Sequence, residues 1–265
     1  MTDAFGWLRF SKANAQPAVR LLCFAHAGAG ASSFNGWRRE LPAWIELVRV
    51  QLPGHEDRSD CSLFTSMDAL IPALFPAVAT LLDRPLVFYG HSVGALIAFE
   101  LARELRRRGL SLPIAMVISS RRAPHRSLPT SRAMHNLPET ELIERLQRLG
   151  GIPAGLLNNR RWRDYYLPVI RADLCLSDVY TYREEPALDC PLHTFLGRKD
   201  CLVVPEDWEA WSEVAAGEFS RQHLACGHFF DKAEQAELIA KLTDVVTKGL
   251  LRGDDVEMLP AARRT

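Results

Sequence analysis

Nowhere in the sequence do 18 uncharged apolar residues run together, so a transmembrane helix is not expected. The N-terminus, Met1 to Phe10, shows no basic segment leading into an apolar core and a cleavage site; the chain is therefore expected in the cytoplasm. An excess of one charge is also missing. Thirty-two basic side chains balance 32 acidic ones, so no overall field draws the protein to nucleic acid or to a membrane surface. Cysteines are few, six in all (Cys23, Cys61, Cys175, Cys190, Cys201 and Cys226), with no C-x-x-C pair and no metal-ligand spacing. Free, mostly buried thiols and no bound metal are the expectation. Internal repeats and low-complexity segments are absent, and so is a long apolar heptad, which makes a monomer the default.

What is present is the composition of an ordinary globular protein, 48% hydrophobic and 24% charged, over 265 residues. That length suits one large α/β domain. Apolar runs at Val19 to Ala25, Leu47 to Leu52, Leu86 to Tyr89, Ile114 to Ser119, Leu192 to Leu196 and Phe219 to Leu224 read as strands. Amphipathic stretches lie between them, so the pattern predicts a mostly parallel sheet flanked by helices. After Ser92, the positions Val93, Leu96, Ile97, Leu101 and Leu105 recur at helical spacing, while Glu100, Arg103, Glu104, Arg106 and Arg107 face elsewhere. Arg106 to Arg108 and Gly109 mark that helix's end. A last helix runs from Lys232 to about Leu250.

Between His125 and Tyr182 the alternation stops. The stretch reads as helices without strands, one opening at Pro138-Glu139-Thr140-Glu141 and closing at Gly150-Gly151. The expected organisation is a single domain over 1–250, with a core of about 5–124 and 183–250 and a helical lid insertion at about 125–182. Residues 251–265 read as a flexible tail.

Leu86 to Tyr89 runs into Gly90-His91-Ser92-Val93-Gly94 and then into the helix. Strand, tight Gly-x-Ser-x-Gly turn and helix together form a nucleophile elbow, the mark of the α/β-hydrolase fold. A serine hydroxyl needs a base, and an imidazole with an ordinary pKa near ~6.5 is suited to that task. Of eight histidines, His91 sits in the elbow, His26 and His55 follow early strands, His125 and His135 fall in or near the insertion, and His193 and His223 lie in strand runs. His228 follows the last strand and precedes the last helix, at the sheet edge where Ser92 must also lie. The acid should fall between them in chain order. Asp200, just past Leu192 to Leu196, is the choice; Asp207 and Glu206 are fallbacks, and Asp173 and Asp178 are disfavoured by their place in the insertion.

Two backbone N–H groups are expected to form an oxyanion hole, that of Val93 at the helix start and that of Ala27 in the small-residue loop Phe24-Ala25-His26-Ala27-Gly28-Ala29-Gly30. The same loop nearly matches a dinucleotide fingerprint, with Gly28, Gly30 and then Ser33. Val50-Gln51-Leu52-Pro53 lacks the acidic residue that the fingerprint needs after the second strand.

Phe24-Ala25-His26-Ala27-Gly28, Gln51-Leu52-Pro53-Gly54-His55-Glu56-Asp57-Arg58, Gly90-His91-Ser92-Val93-Gly94 and Gly227-His228-Phe229-Phe230 together resemble the type II thioesterases of polyketide and nonribosomal peptide synthesis. Leu137 to Pro153, Leu167 to Asp173 and Tyr180-Thr181-Tyr182 resemble that family's lid, so the resemblance covers about residues 5–248. It implies that Ser92 is nucleophile, His228 base and Asp200 orienting acid, with oxyanion donors at Ala27 and Val93. It also implies hydrolysis of stalled or wrongly loaded acyl groups from the phosphopantetheine arm of an acyl or peptidyl carrier protein, with no cofactor of the enzyme's own. The chain departs from the family at Ala29, at His55 where arginine is frequent, and at Cys226. Arg121, Arg122, Arg126 and Arg132, or Arg160, Arg161 and Arg163, could form a basic docking patch, and solvated helix faces explain the same residues. Since one triad serves esters, thioesters and amides alike, a serine esterase is the alternative.

Overall fold

The computed structural model describes residues 6–11, 17–126 and 133–252. Seven strands form one sheet: β1 (Leu8–Phe10), β2 (Val19–Phe24), β3 (Ile45–Val50), β4 (Leu86–His91), β5 (Ala115–Ser119), β6 (Leu192–Gly197) and β7 (Phe219–Leu224). Their spatial order is β1-β3-β2-β4-β5-β6-β7, with β1 antiparallel to β3 and every other pairing parallel. This is the α/β-hydrolase fold expected from the elbow. The β3 pairing ends at Val50, before Pro53, which has no N–H to give a ladder. The three-residue edge strand β1 is too short to carry a pattern and was not foreseen.

Side-chain alternation assigns the two faces. On β2, Leu22 and Phe24 point to one apolar layer, and Val19, Leu21 and Cys23 to the other. On β4, Phe88 and Tyr89 divide in the same way. The first layer is covered by α1 (Met67–Ala79) and α2 (Val93–Arg107), the second by α7 (Lys232–Arg252). With both faces covered, the central strands read as unbroken apolar runs. Leu251 and Arg252, expected in the tail, belong to α7; residues 253–265 lie outside the described residues.

Off the apolar stripe of α2, Glu100 and Arg103 are nevertheless buried: Arg103 pairs with Glu100 at 2.7 Å and with Glu185 at 2.7 Å. The chain leading into β6 folds back over this face, and the acids it meets neutralise the guanidinium that burial would otherwise penalise.

Between β5 and β6 the described residues form α3 (Glu139–Leu149), α4 (Ala154–Leu157) and α5 (Arg160–Asp178) and no strand. Gly150 closes α3 in the left-handed conformation, φ 79°, as its sequence predicts. These helices enclose a small apolar cluster of their own, made by Met134, Leu142, Leu146, Leu157, Leu167 and Ile170.

Candidate active site

Parallel pairing sets the site's position. His91 at the end of β4 is level with Ser119 at the end of β5, so the residues just beyond them meet at one edge of the sheet. The chain must then turn from β4 into α2 within one residue. Ser92 makes that turn at φ 56° and ψ −117°, a strained conformation for a side chain with a Cβ. Two glycines permit it. A Cβ on Gly90 would lie 2.5 Å from the Ala95 Cα, and one on Gly94 would lie 2.2 Å from the Phe24 carbonyl oxygen. The Ser92 N–H is held by the Ser119 carbonyl at 3.0 Å.

Three side chains from separate loops meet here. His228 Nε2 lies 3.2 Å from Ser92 Oγ, and His228 Nδ1 lies 2.9 Å from Asp200 Oδ2. A carboxylate only accepts, so Nδ1 carries the proton and Nε2 is free to accept one from the serine. The Leu202 N–H donates to Asp200 Oδ1 at 2.8 Å, fixing the carboxylate's second oxygen. Burial alone would push the Asp200 carboxyl up, but its bond to His228, the positive charge that ring carries when protonated and the Leu202 N–H hold it below the ordinary carboxylate value. The Asp200 side chain is fully buried and that of His228 nearly so.

The neighbouring imidazoles are kept neutral. Burial pushes His91 well below the ordinary value and His26 down to about 4, though the His26 bond to the Ala27 carbonyl pulls the other way. His91 Nδ1 is bonded to Ser119 Oγ at 2.8 Å, and that hydroxyl also meets the Tyr89 phenol at 2.9 Å. Consequently His228 can take up a proton without a second imidazolium beside it, and the phenyl ring of Phe229 shields it, edge-on at 5.0 Å.

Ser92 and His228 open into a cavity of about 650 Å³, whose wall includes Ala27 and Val93. Val93 is the first residue of α2, so its N–H has no partner within the helix and faces the positive end of the dipole. An anion formed next to Ser92 would meet donors on this side. The other walls come from α3, through Arg145 and Arg148, and from α5, through Leu174 and Ser177.

Every side chain proposed from sequence for the chemistry therefore lies at this one edge. The fallback acids do not join it: Glu206 and Asp207 lie in the short helix α6 (Pro205–Glu209), and among the described residues Asp200 is the carboxylate bonded to His228. Two of the arginines considered for an outer docking patch lie elsewhere than expected. Arg121 and Arg122 are only 9% and 8% exposed and line the cavity, where burial and Arg122 push the Arg121 guanidinium down to about 9. Arg126 is paired with Glu213 and Arg163 with Glu139, Arg160 and Arg161 are exposed, and Arg132 lies outside the described residues. Sequence reasoning passed over Asp173, which is 2% exposed and bonded to both His55 and the Gly28 N–H. The available signal was a carboxylate on the apolar stripe of α5, three residues from Ile170 and three from Leu176.

A strained serine at a strand-to-helix turn, with imidazole and carboxylate in line behind it on this fold, defines the class: the chain is a serine hydrolase. Comparison with known proteins narrows this. The thioesterase domain family matches residues 19–245, and the chain belongs to that family. It is 36% identical over 237 residues to the protein named linear gramicidin dehydrogenase LgrE of Brevibacillus parabrevis, covering 88% of this chain and 90% of that one. Among solved structures, the RedJ thioesterase of the prodiginine pathway in Streptomyces coelicolor matches with a TM-score of 0.81 and 37% identity, over 87% of each chain. The type II thioesterase BorB of the borrelidin cluster matches with a TM-score of 0.83 and 31% identity, over 93% of this chain and 99% of that one. The word dehydrogenase in the first name finds no support in this chain's own loop. Gln51 stands after β3 where a ribose-binding acid belongs, and it is buried, accepting the Ala31 N–H at 2.9 Å.

Proposed function

We propose that Ser92 is the nucleophile, His228 the general base and Asp200 the acid that orients it, with the Ala27 and Val93 N–H groups as oxyanion donors. The substrate in this reading is an acyl thioester on the phosphopantetheine arm of an acyl or peptidyl carrier protein in polyketide or nonribosomal peptide synthesis. Removal of a stalled or wrong acyl group returns the arm to use.

One observation carries the reading: the unbroken hydrogen-bonded series Asp200–His228–Ser92, with Ser92 and His228 lining the cavity, in a chain of the thioesterase family. The Ser92 oxygen attacks the thioester carbonyl while His228 Nε2 takes its proton, giving a tetrahedral oxyanion. That intermediate collapses as His228 returns the proton to the departing sulfur, so the thiol leaves and the acyl group stays on Ser92. Water, deprotonated by the same imidazole, then releases the acid and restores the serine. Asp200 stabilises the imidazolium at both steps without taking its proton.

Residues of about 125–182 act as a lid in this proposal, since α3 and α5 supply two walls of the cavity. The enzyme is taken to work as a cytoplasmic monomer without a cofactor of its own, and among the described residues no helix is long and apolar enough to cross a membrane. The test compares turnover of one acyl group on a carrier protein, on a small thiol and on an oxyester. Preference for the carrier is expected; preference for the oxyester would replace this reading with that of a serine esterase.

A further inference from the structure

A second buried charged pair lies behind the oxyanion loop, and the reaction steps above do not use it. His55 and Asp173 have side chains only 2% and 3% exposed, with His55 Nε2 2.9 Å from Asp173 Oδ2. The other ring nitrogen, Nδ1, lies 3.0 Å from the Pro53 carbonyl oxygen. A carbonyl oxygen and a carboxylate can only accept, so both ring nitrogens must donate, and His55 is an imidazolium in this arrangement.

The same Asp173 oxygen accepts the Gly28 N–H at 2.7 Å. Gly28 follows Ala27, whose N–H is assigned above to the oxyanion hole. One helical turn before Asp173, Ile170 presses on the same spot, because a Cβ on Gly28 would lie 2.4 Å from Ile170 Cγ1. Helix α5 thus grips the loop at one residue, by a hydrogen bond and by contact. Unless His55 is charged, the carboxylate has no cation beside it at a site almost without solvent, which is costly.

We propose that Asp173 is a positioning residue for the oxyanion loop, and that protonated His55 is what keeps it in place, so that lid helix and oxyanion donor are joined only while the pair holds its proton. The proposal rests on the hydrolase reading for the role of Ala27, but the pair itself does not depend on any substrate.

The charged groups around the imidazole agree with this. From α5 there is Asp173; from its own loop there is Glu56, also an anion in reach; from the oxyanion loop there is His26, which burial keeps neutral. Burial pulls the His55 pKa down, and the bond and charge of Asp173, the Pro53 carbonyl and Glu56 together overcome it, leaving a net rise above 6.5. For a raised histidine the stabilisation is complete below the unfolded value, near ~6.5, and is lost as pH rises through the higher folded value.

The experiment has two parts. In the first, protein labelled with ¹⁵N-histidine is titrated by NMR without substrate, and the His55 signals are assigned by their loss in His55→Arg. Both His55 nitrogens should stay protonated above pH 6.5, and Asp173→Asn should lower the titration midpoint. A His55 that titrates at or below 6.5, or one indifferent to Asp173→Asn, overturns the proposal. In the second part, kcat and KM are followed from pH 6 to 9.5 with a short acyl thioester of N-acetylcysteamine, alongside melting temperatures. The wild type should lose kcat on the alkaline side. His55→Arg, whose guanidinium stays charged, should restore that limb, whereas His55→Gln and Asp173→Asn should lower kcat about tenfold to a hundredfold with less change in KM. Identical alkaline limbs for wild type and His55→Arg would also overturn it. Failure of thioester turnover with the NMR result intact would count against the hydrolase reading instead.

Discussion

The sheet and the helical segment after β5 are packed very differently. Phe88 and Leu96 beside the elbow are completely buried in a layer that spans the domain. The helical segment has a cluster of six buried residues, among them Leu146 at 8% exposed, and it leaves Leu156 and Tyr165 at 42% and 43%. Ser92, Asp200 and His228, the side chains proposed for the chemistry, sit just past strand ends of the first region. Part of the cavity wall, through Arg145, Arg148, Leu174 and Ser177, comes from the second. Lower local stability is therefore expected in the second region than in the first.

Substitutions can widen or erase this contrast. The largest effect belongs to Ser92→Ala, for which turnover should fall on the order of 10⁶-fold with carrier binding retained. Steady-state rates beside a binding isotherm will check it, and retained hydrolysis would put the nucleophile elsewhere. Asp200→Asn comes next. It preserves shape but allows the wrong imidazole tautomer, so kcat should drop about 10⁴-fold with KM little changed. Ser92→Ala should melt near the wild-type temperature, since it opens little space, whereas Asp200→Asn should melt lower, because it gives up the interactions that hold the carboxyl below its ordinary value.

A pair of truncations then tests the packing contrast itself. Leu96→Ala in the wide layer should cost about 4 kcal/mol, toward the upper part of the range for buried leucine. Leu146→Ala should cost nearer ~2 kcal/mol, because the small cluster around it can relax. Denaturant unfolding measures both, and equal losses would remove the packing contrast between the two regions. Amide exchange in α3 and α5 should likewise be faster than in β4 and β5.

The smallest effect is expected at Gly150→Ala. A Cβ there meets nothing within 4 Å, so only the positive φ of 79° is penalised, at about 1 kcal/mol. A loss several times larger would show that α3 depends on its C-terminal cap far more than the helix's exposed position suggests.

Legibility in the sequence followed the same division. Strands buried on both faces are continuous apolar runs, and helices α2 and α3 end on glycine, so the sheet and its order of chemistry could be read directly. Ser92, Asp200 and His228 were legible because each follows a strand, and a parallel sheet brings strand ends to one edge. The Asp173–His55 pair was not, since its members lie 118 residues apart and meet only because α5 lies across the oxyanion loop. For a similar reason Arg121 and Arg122, polar by composition, gave no hint that they would line a cavity. Charge alone does not tell a solvated arginine from one held inside.

Rapid acid quench of the enzyme mixed with an acylated carrier protein, followed by intact-mass measurement and peptide mapping, tests most directly whether Ser92 carries the acyl group. The expected result is a transient mass increase equal to the acyl group, mapped to the peptide containing Ser92 and absent in Ser92→Ala. Acyl groups released at full rate with the adduct on another residue, or with turnover unchanged in Ser92→Ala, would contradict it.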